Sequence, residues 1–161
     1  MKRHRSAASL VLAVLAVLGL AGPGAAGEKV PFRGRLEGVF TTTLVFPLLA
    51  VNVEATGNAS HLGRFTVEIP HVVNVQTSSV IGSYHFIAAN GDELFADHSA
   101  QVTVVVPGLL FAVETATITG GTGRFAGASG EFTVERFVRQ ATMTTFGSFE
   151  GTISSPGAAK K

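Results

Sequence analysis

Residues 118–130 read ITGGTGRFAGASG, and these five glycines in thirteen residues decide between two folds. Such glycines either hold a phosphate at the start of a helix or turn the chain sharply between two strands. The GxGxxG motif is incomplete because position 126 is alanine, and no GxxxxGK[ST] motif occurs. The following residues, EFTVERFV, alternate apolar and polar side chains as a strand does. A structural turn is therefore predicted, made by Gly120, Gly121, Gly123, Gly127 and Gly130.

The chain after residue 27 shows a period of two rather than 3.6, most clearly where Phe65, Val67 and Ile69 alternate with polar residues. No helix is predicted. Connections are expected at 43–50, 60–62, 70–79, 89–92, 107–108, 120–129 and 140–143. Glycines inside the strands allow sharp bending. The predicted fold is therefore all-β: an eight-stranded, antiparallel, up-and-down, calycin-like barrel, with a two-sheet sandwich as the alternative.

The stretch GGTGRFAGASGEF (120–132) resembles the glycine-rich turn of the allene oxide cyclase and dirigent β-barrel superfamily. NASHLGRFT (58–66) and FIAANGDELFA (86–96) resemble segments of bacterial secreted members. The resemblance implies an eight-stranded barrel with an apolar lumen, and a homo-oligomer, since some relatives are trimers. No catalytic residue of the cyclases or dirigent proteins matches a position here, so the resemblance carries no chemistry with it.

The N-terminus has the pattern of a secretory signal peptide: basic MKRHR, an uncharged apolar run, then small residues before Glu28. The predicted organisation is a signal peptide at 1–27, a barrel domain at 28–153 and a disordered tail at 154–161. The mature protein would be secreted or periplasmic with no membrane span, although a retained anchor is the alternative. The chain has no cysteine, which excludes lipid attachment at a lipobox cysteine and disulfides alike.

Charge argues against a nucleic-acid partner once the signal peptide is removed. Loss of Lys2, Arg3 and Arg5 from the 12 basic residues leaves 9, against 11 acidic residues. No basic stripe remains along any predicted strand. No motif for a cofactor occurs either, so none is predicted.

In an up-and-down barrel, alternate connections lie at the same end. Sorted in this way, the connections at one end are polar or short and glycine-rich, and those at the other end are apolar. A large exposed apolar patch usually marks a binding surface. We therefore expect the apolar end to be the mouth of a ligand pocket, or to dock on a partner or membrane. In the alternative, LVFPLLA (44–50) folds back and plugs the barrel. The predicted ligand-binding residues are Phe46, Leu48, Leu49, Leu110 and Phe111.

Three polar residues are weak catalytic candidates: Glu114, Glu150 and Tyr84. A carboxyl group inside the lumen would have a raised pKa and could act as an acid or base. If these residues face water, they are ordinary surface residues of a strand.

The histidines at 61, 71, 85 and 98 fit no common zinc spacing, so no metal site is predicted. His85 and His98 share a face if the Asn90-Gly91 hairpin has a two-residue turn. A three-residue connection places the two side chains on opposite faces. The sequence leaves both registers open.

The sequence thus predicts a barrel that binds a small apolar ligand in its lumen without catalysis. A cyclase-like or dirigent-like enzyme that orients an apolar substrate is the first alternative. A structural or oligomerising module is the second.

Overall fold

The computed structural model describes residues 28–154. In this part of the chain, eight antiparallel strands pair in sequence order, and β1 pairs with β8 to close a barrel. The predicted all-β, up-and-down barrel is thereby confirmed. None of the described residues forms a helix of the length and apolarity that a bilayer crossing requires. The strands are β1 (Val30–Val45), β2 (Leu48–Ala59), β3 (Gly63–Asn74), β4 (Ser79–Ala88), β5 (Glu93–Val106), β6 (Leu109–Gly121), β7 (Ser129–Arg139) and β8 (Thr144–Ser154).

The signal peptide predicted at 1–27 lies outside the described residues, and so do residues 155–161 of the predicted tail. Ser154, which was assigned to that tail, is the last residue of β8 and is buried. Its hydroxyl forms a hydrogen bond of 2.6 Å with the hydroxyl of Ser129.

Period-two alternation in the sequence becomes alternation between the barrel axis and the solvent. In β3, Phe65, Val67 and Ile69 are buried, whereas Thr66 and Glu68 between them are exposed. Because a strand points successive side chains to opposite faces, the buried set faces the axis. Residues that lie directly opposite each other on paired strands point to the same face. The strand register therefore shows which residues of other strands also face the axis.

Most residues of two predicted connections belong to strands instead. β1 continues to Val45 and β2 begins at Leu48, so the turn consists of Phe46 and Pro47 alone. The segment predicted as a loop at 70–79 shortens in the same way, to 75–78. Val and Thr favour extended backbone, and both segments contain them. LVFPLLA therefore neither folds back as a plug nor forms a long mouth loop; it is the tip of a β-hairpin.

The Asn90-Gly91 hairpin adopts the second of the two open registers. Tyr84 pairs with Ala96, and the backbone N–H of Ala88 donates to the Asp92 carbonyl at 2.9 Å, leaving a three-residue connection. His85 and His98 consequently lie on opposite faces: the His98 side chain is fully buried, whereas that of His85 is 35% exposed.

The glycine-rich stretch at 118–130 turns the chain between β6 and β7 and closes one end of the barrel, here named the glycine end. It contains a single turn of 3-10 helix, Gly123–Phe125, and the Phe125 side chain is buried beside the barrel core. Gly123 has φ +54, and a Cβ there would lie 1.9 Å from Oδ1 of Asp92. That carboxylate accepts hydrogen bonds from Asn90 and from the backbone of Arg124, so it ties two connections together.

Aromatic rings fill the centre of the barrel. The ring of Phe32 lies 5.0 Å from that of Phe149 and 5.4 Å from that of Phe132. Inward-facing glycines make room for them: a Cβ on Gly34 would lie 2.4 Å from the ring of Phe149. The core of this half is aromatic and close-packed, formed by Phe32, Phe65, Phe86, Phe132 and Phe149.

We expect Leu94→Ala to lower the free energy of unfolding by about 2–5 kcal/mol, because Leu94 is fully buried in this core and its truncation leaves a cavity. The matched control is Leu44→Ala on β1, where the leucine is 59% exposed and a change within about 0.5 kcal/mol is expected. Urea denaturation of both variants measures the difference. Equal effects would contradict the assigned core.

Candidate functional site

The barrel end opposite the glycine end is here named the apolar end, and it carries almost no charge. Its connections are residues 46–47, 75–78, 107–108 and 140–143. Residues 38–53, 69–83, 99–113 and 140–149 contain no Asp, Glu, Lys or Arg. Large apolar side chains are exposed here, including Leu44, Val45, Phe46, Leu48, Val75, Val104, Val105 and Val106.

The structure separates the five residues predicted to bind a ligand. Leu49 pairs with Val73, which pairs with Val80, a buried residue, so Leu49 faces the barrel axis. Leu110 faces the axis as well, since it is separated from buried Ala112 by one residue. The other three point elsewhere: Phe46 is 69% exposed at the hairpin tip, Leu48 is 46% exposed on the outer face, and Phe111 contacts Phe137 on the outer face.

Inward-facing aliphatic side chains surround the axis at the apolar end. We call them the apolar collar. All except buried Val80 are half-buried, so they line the barrel interior where it approaches solvent. The collar consists of Leu49, Val51, Val73, Val80, Val102, Leu110 and Val138.

Polar side chains occupy the barrel interior between this collar and the aromatic core. Five neighbouring strands, β3 to β7, each contribute one inward-facing residue. We call the group the polar floor; its members are His71, Tyr84, His98, Glu114 and Arg136.

Glu114 is the centre of the polar floor and has no exposed surface. Its Oε1 accepts hydrogen bonds from Nε of Arg136 at 2.8 Å and from Nη2 at 2.5 Å. Its Oε2 accepts the hydroxyl hydrogen of Tyr84 and lies 3.6 Å from Nδ1 of His98. Burial raises the pKa of the Glu114 carboxyl, but the Arg136 charge, His98 and the hydrogen bonds together lower that pKa below its usual value. Glu114 is therefore an ionised carboxylate at neutral pH.

Tyr84 stays a neutral phenol. Burial and the adjacent Glu114 charge raise the pKa of Tyr84 well above 10.0. Its ring stacks on Phe86 with centroids 5.4 Å apart and lies 4.8 Å from the His98 ring. The side chain thus joins the aromatic core to the polar floor.

The two histidines of the floor are both neutral near pH 7. Burial, with the positive charge of Arg136, lowers the pKa of His71 to about 4. Burial also lowers the pKa of His98. Nδ1 of His71 lies 2.9 Å from the Ile69 carbonyl oxygen, and the two imidazole rings are 5.8 Å apart. Neither ring nitrogen of His98 hydrogen-bonds to any described residue.

Of the three catalytic candidates, the structure brings Glu114 and Tyr84 together but not Glu150. Glu150 is exposed on the outer face of β8, across from Arg33 of β1. Sequence reasoning did not find Arg136, although it shares the period-two face of Phe132 and Val134 in EFTVERFV. An arginine on a buried strand face signals a buried anion.

The sequence shows both histidines of the floor but predicts no contact between them. His71 lay in a predicted loop, and the position of His98 depended on a hairpin register that the sequence left open. In residues 28–154, no three His, Asp or Glu side chains form a group that could hold a metal ion.

No family model matches the chain, and no curated protein matches it. Among solved structures, a pterocarpan synthase dirigent protein matches with a TM-score of 0.57 and 12% sequence identity, covering 92% of this chain and 99% of that chain. A match at this identity shows the fold, which is a dirigent-like eight-stranded barrel. The resemblance to dirigent proteins is confirmed at this level. Likeness to allene oxide cyclases and to bacterial secreted proteins stays a prediction.

We expect Arg136→Met to destabilise the protein by about 3–5 kcal/mol, because it leaves the Glu114 carboxylate buried without its countercharge. The double variant Arg136→Met/Glu114→Leu removes both charges and should recover most of that loss. Urea denaturation of the two single variants and the double variant measures the coupling. Additive losses would contradict a buried ion pair.

Acidification should destabilise the fold through His71. The unfolded state binds a proton at its ordinary pKa of 6.5, and the folded state binds it only at about 4. Stability is therefore lost as the pH falls through this window, by up to about 3 kcal/mol. Glu114, with its lowered pKa, adds to the loss at still lower pH.

Urea denaturation at about pH 7 and about pH 5 measures this loss. In His71→Leu the fall between the two pH values should be smaller than in the wild-type protein. His85→Leu, on the outer face, is the control for losing a histidine and should retain the wild-type fall. An unchanged fall in His71→Leu would contradict the assignment.

Proposed function

We propose that this protein is a dirigent-like barrel that binds a small apolar ligand inside its apolar collar and holds it in one orientation. The fold supports this proposal, because an eight-stranded barrel is wide enough to hold one small ligand. The matched dirigent protein is named as a pterocarpan synthase, so a dirigent-like barrel can serve small-molecule chemistry.

The observation that carries the proposal is the layering of the barrel interior. Leu49 and Leu110 of the collar face the axis at the apolar end. Glu114 and its partners share this inner face, since Glu114 pairs with Ala100, and Ala100 with Val80 of the collar. Along β6, Glu114 lies four residues further from the apolar end than Leu110 does. An apolar body would contact the collar, and a polar group would reach the floor. An apolar contact at one end of a ligand and a polar contact at the other together fix its orientation.

Binding without catalysis fits the floor better than acid–base chemistry. The Glu114 carboxyl is ionised and held by Arg136, so it has no proton to donate, and both of its oxygens accept hydrogen bonds, one from Arg136 and the other from Tyr84. Tyr84 is a phenol whose pKa is raised further, so it is a poor acid. The alternative, a cyclase-like or dirigent-like enzyme, would accelerate a reaction by holding its substrate in one conformation.

Adjacent leucines of β2 give a matched test. We expect Leu49→Asp to weaken the binding of an environment-sensitive apolar fluorophore by about tenfold or more, because it places a charge in the collar. Leu48→Asp changes the outer face and should leave binding unchanged, since its side chain is 46% exposed. Fluorescence titration of the folded proteins measures both affinities. Absence of saturable binding to the wild-type protein would reject the ligand-binding function.

The exposed apolar residues favour a second candidate, association through the apolar end into an oligomer. At the tip of the β1–β2 hairpin, the exposed residues are Val45, Phe46 and Leu48. At the tip of the β5–β6 hairpin, they are Val104–Val106. Patches of this kind mark interaction surfaces. If association is their role, Leu48→Asp lowers the molar mass measured by light scattering, and Leu49→Asp and Leu48→Asp weaken fluorophore binding equally.

We also propose export of the chain by the N-terminal signal. The support is the basic start and the apolar run within residues 1–27, followed by small residues before Glu28. Mass determination of the protein recovered from an exporting host tests the expected cleavage after Ala26 or Gly27.

A further inference from the structure

His98 is a buried polar side chain whose ring nitrogens lack hydrogen-bond partners among the described residues. The side chain has no exposed surface, and Oε2 of Glu114 lies 3.6 Å from its Nδ1, beyond hydrogen-bond distance. Leaving a buried nitrogen unsatisfied costs about 1–3 kcal/mol. Such a group is therefore expected to bind a polar atom from outside the protein.

The surroundings of His98 decide which of its nitrogens carries the hydrogen. Nδ1 faces the Glu114 carboxylate, which can only accept a hydrogen bond, so the neutral ring has its hydrogen on Nδ1. Nε2 then carries a lone pair and is an acceptor. A partner for Nε2 must be a hydrogen-bond donor.

His71 reaches the same tautomer independently. Its Nδ1 lies 2.9 Å from the carbonyl oxygen of Ile69, which only accepts, so Nδ1 carries the hydrogen and Nε2 is again an acceptor. His71 pairs in register with Val51 of the apolar collar and retains 9% exposure. The floor therefore presents one imidazole acceptor next to the collar, at His71, and a second at His98, whose ring centroid lies 5.8 Å from that of His71.

Charge excludes an anionic partner. Arg136 is the only cation of the floor, and it is committed to Glu114. Lowered pKa values keep both histidines neutral near pH 7, so neither supplies a positive charge to a ligand. A carboxylate head would lie beside the Glu114 charge and would find acceptors instead of donors.

We propose that His98, with His71 beside it, selects a neutral apolar ligand that carries a hydroxyl group, whose O–H donates to Nε2 of His98. This inference rests on the proposed ligand-binding function and names the class of its ligand. His98 acts as a specificity-determining residue: the collar binds the apolar body, and the imidazole acceptor distinguishes a hydroxyl from an ether or a carboxylate.

Three probes with the same chain length test the selection: n-decanol, its methyl ether and decanoate, each competing with the bound apolar fluorophore. The ether keeps the oxygen but lacks the donor. We expect n-decanol to bind about three- to tenfold more tightly than the ether, the size of one hydrogen bond. Decanoate should bind more weakly than the ether.

His98→Leu should abolish the preference for n-decanol over the ether while leaving the affinity for the ether within about twofold, because only the acceptor is lost. His85→Leu is the matched control on the outer face of β4 and should retain the preference. If His98→Leu does not fold, the wild-type probe series and the histidine ¹⁵N NMR signals of the wild-type protein stand in its place. Those signals should show the Nδ1–H tautomer, with the Nε2 signal of His98 moving when n-decanol binds.

Equal binding of n-decanol and its ether by the wild-type protein would overturn the inference, as would an Nε2–H tautomer at His98. Either result would leave the ligand-binding function standing. Failure of the fluorophore and all three probes to bind would reject the proposed function itself. The two failures are therefore distinguishable.

Discussion

A carboxylate without exposed surface is the constraint on which the interior of this barrel depends. Glu114 loses all of its hydration, which a buried charge tolerates only when countercharge and hydrogen bonds replace the water. Arg136 of β7 and Tyr84 of β4 supply that replacement, and His98 of β5 lies beside the carboxylate. These four side chains, one each from β4, β5, β6 and β7, lie at the boundary at which the aromatic core ends.

Below that boundary, aromatic side chains fill the barrel interior; above it, the interior is lined by aliphatic side chains. Rings such as Phe32 and Phe149 need the space that inward-facing glycines provide, so core and backbone shape specify each other. The collar has no comparable rings, and its aliphatic side chains are half-buried. Dense packing of the aromatic core stabilises the fold, whereas a site for an apolar ligand requires apolar side chains that other residues do not cover.

Much of the fold could be predicted because its signals are local. Alternation along Phe65–Ile69 and glycine at Gly91 and Gly108 identify strands and turns from neighbouring residues. The site depends on register between distant strands, which one sequence does not contain. Tyr84, Glu114 and Arg136 meet only after three pairings are set, and His98 joins them only in one of two hairpin registers. Strands at the apolar end are longer than predicted, because the connection expected at 43–50 is a turn of two residues, Phe46 and Pro47.

Buried side chains close the glycine end of the barrel. Phe125, Leu62 and Ala128 seal its bottom, each with no more than 4% of its surface exposed. If the collar binds a ligand as proposed, that ligand has to leave by the end at which it entered, and water displaced from the collar must pass the incoming molecule. Entry and release would then share one route, so two ligands would exclude each other even if each contacted a different wall.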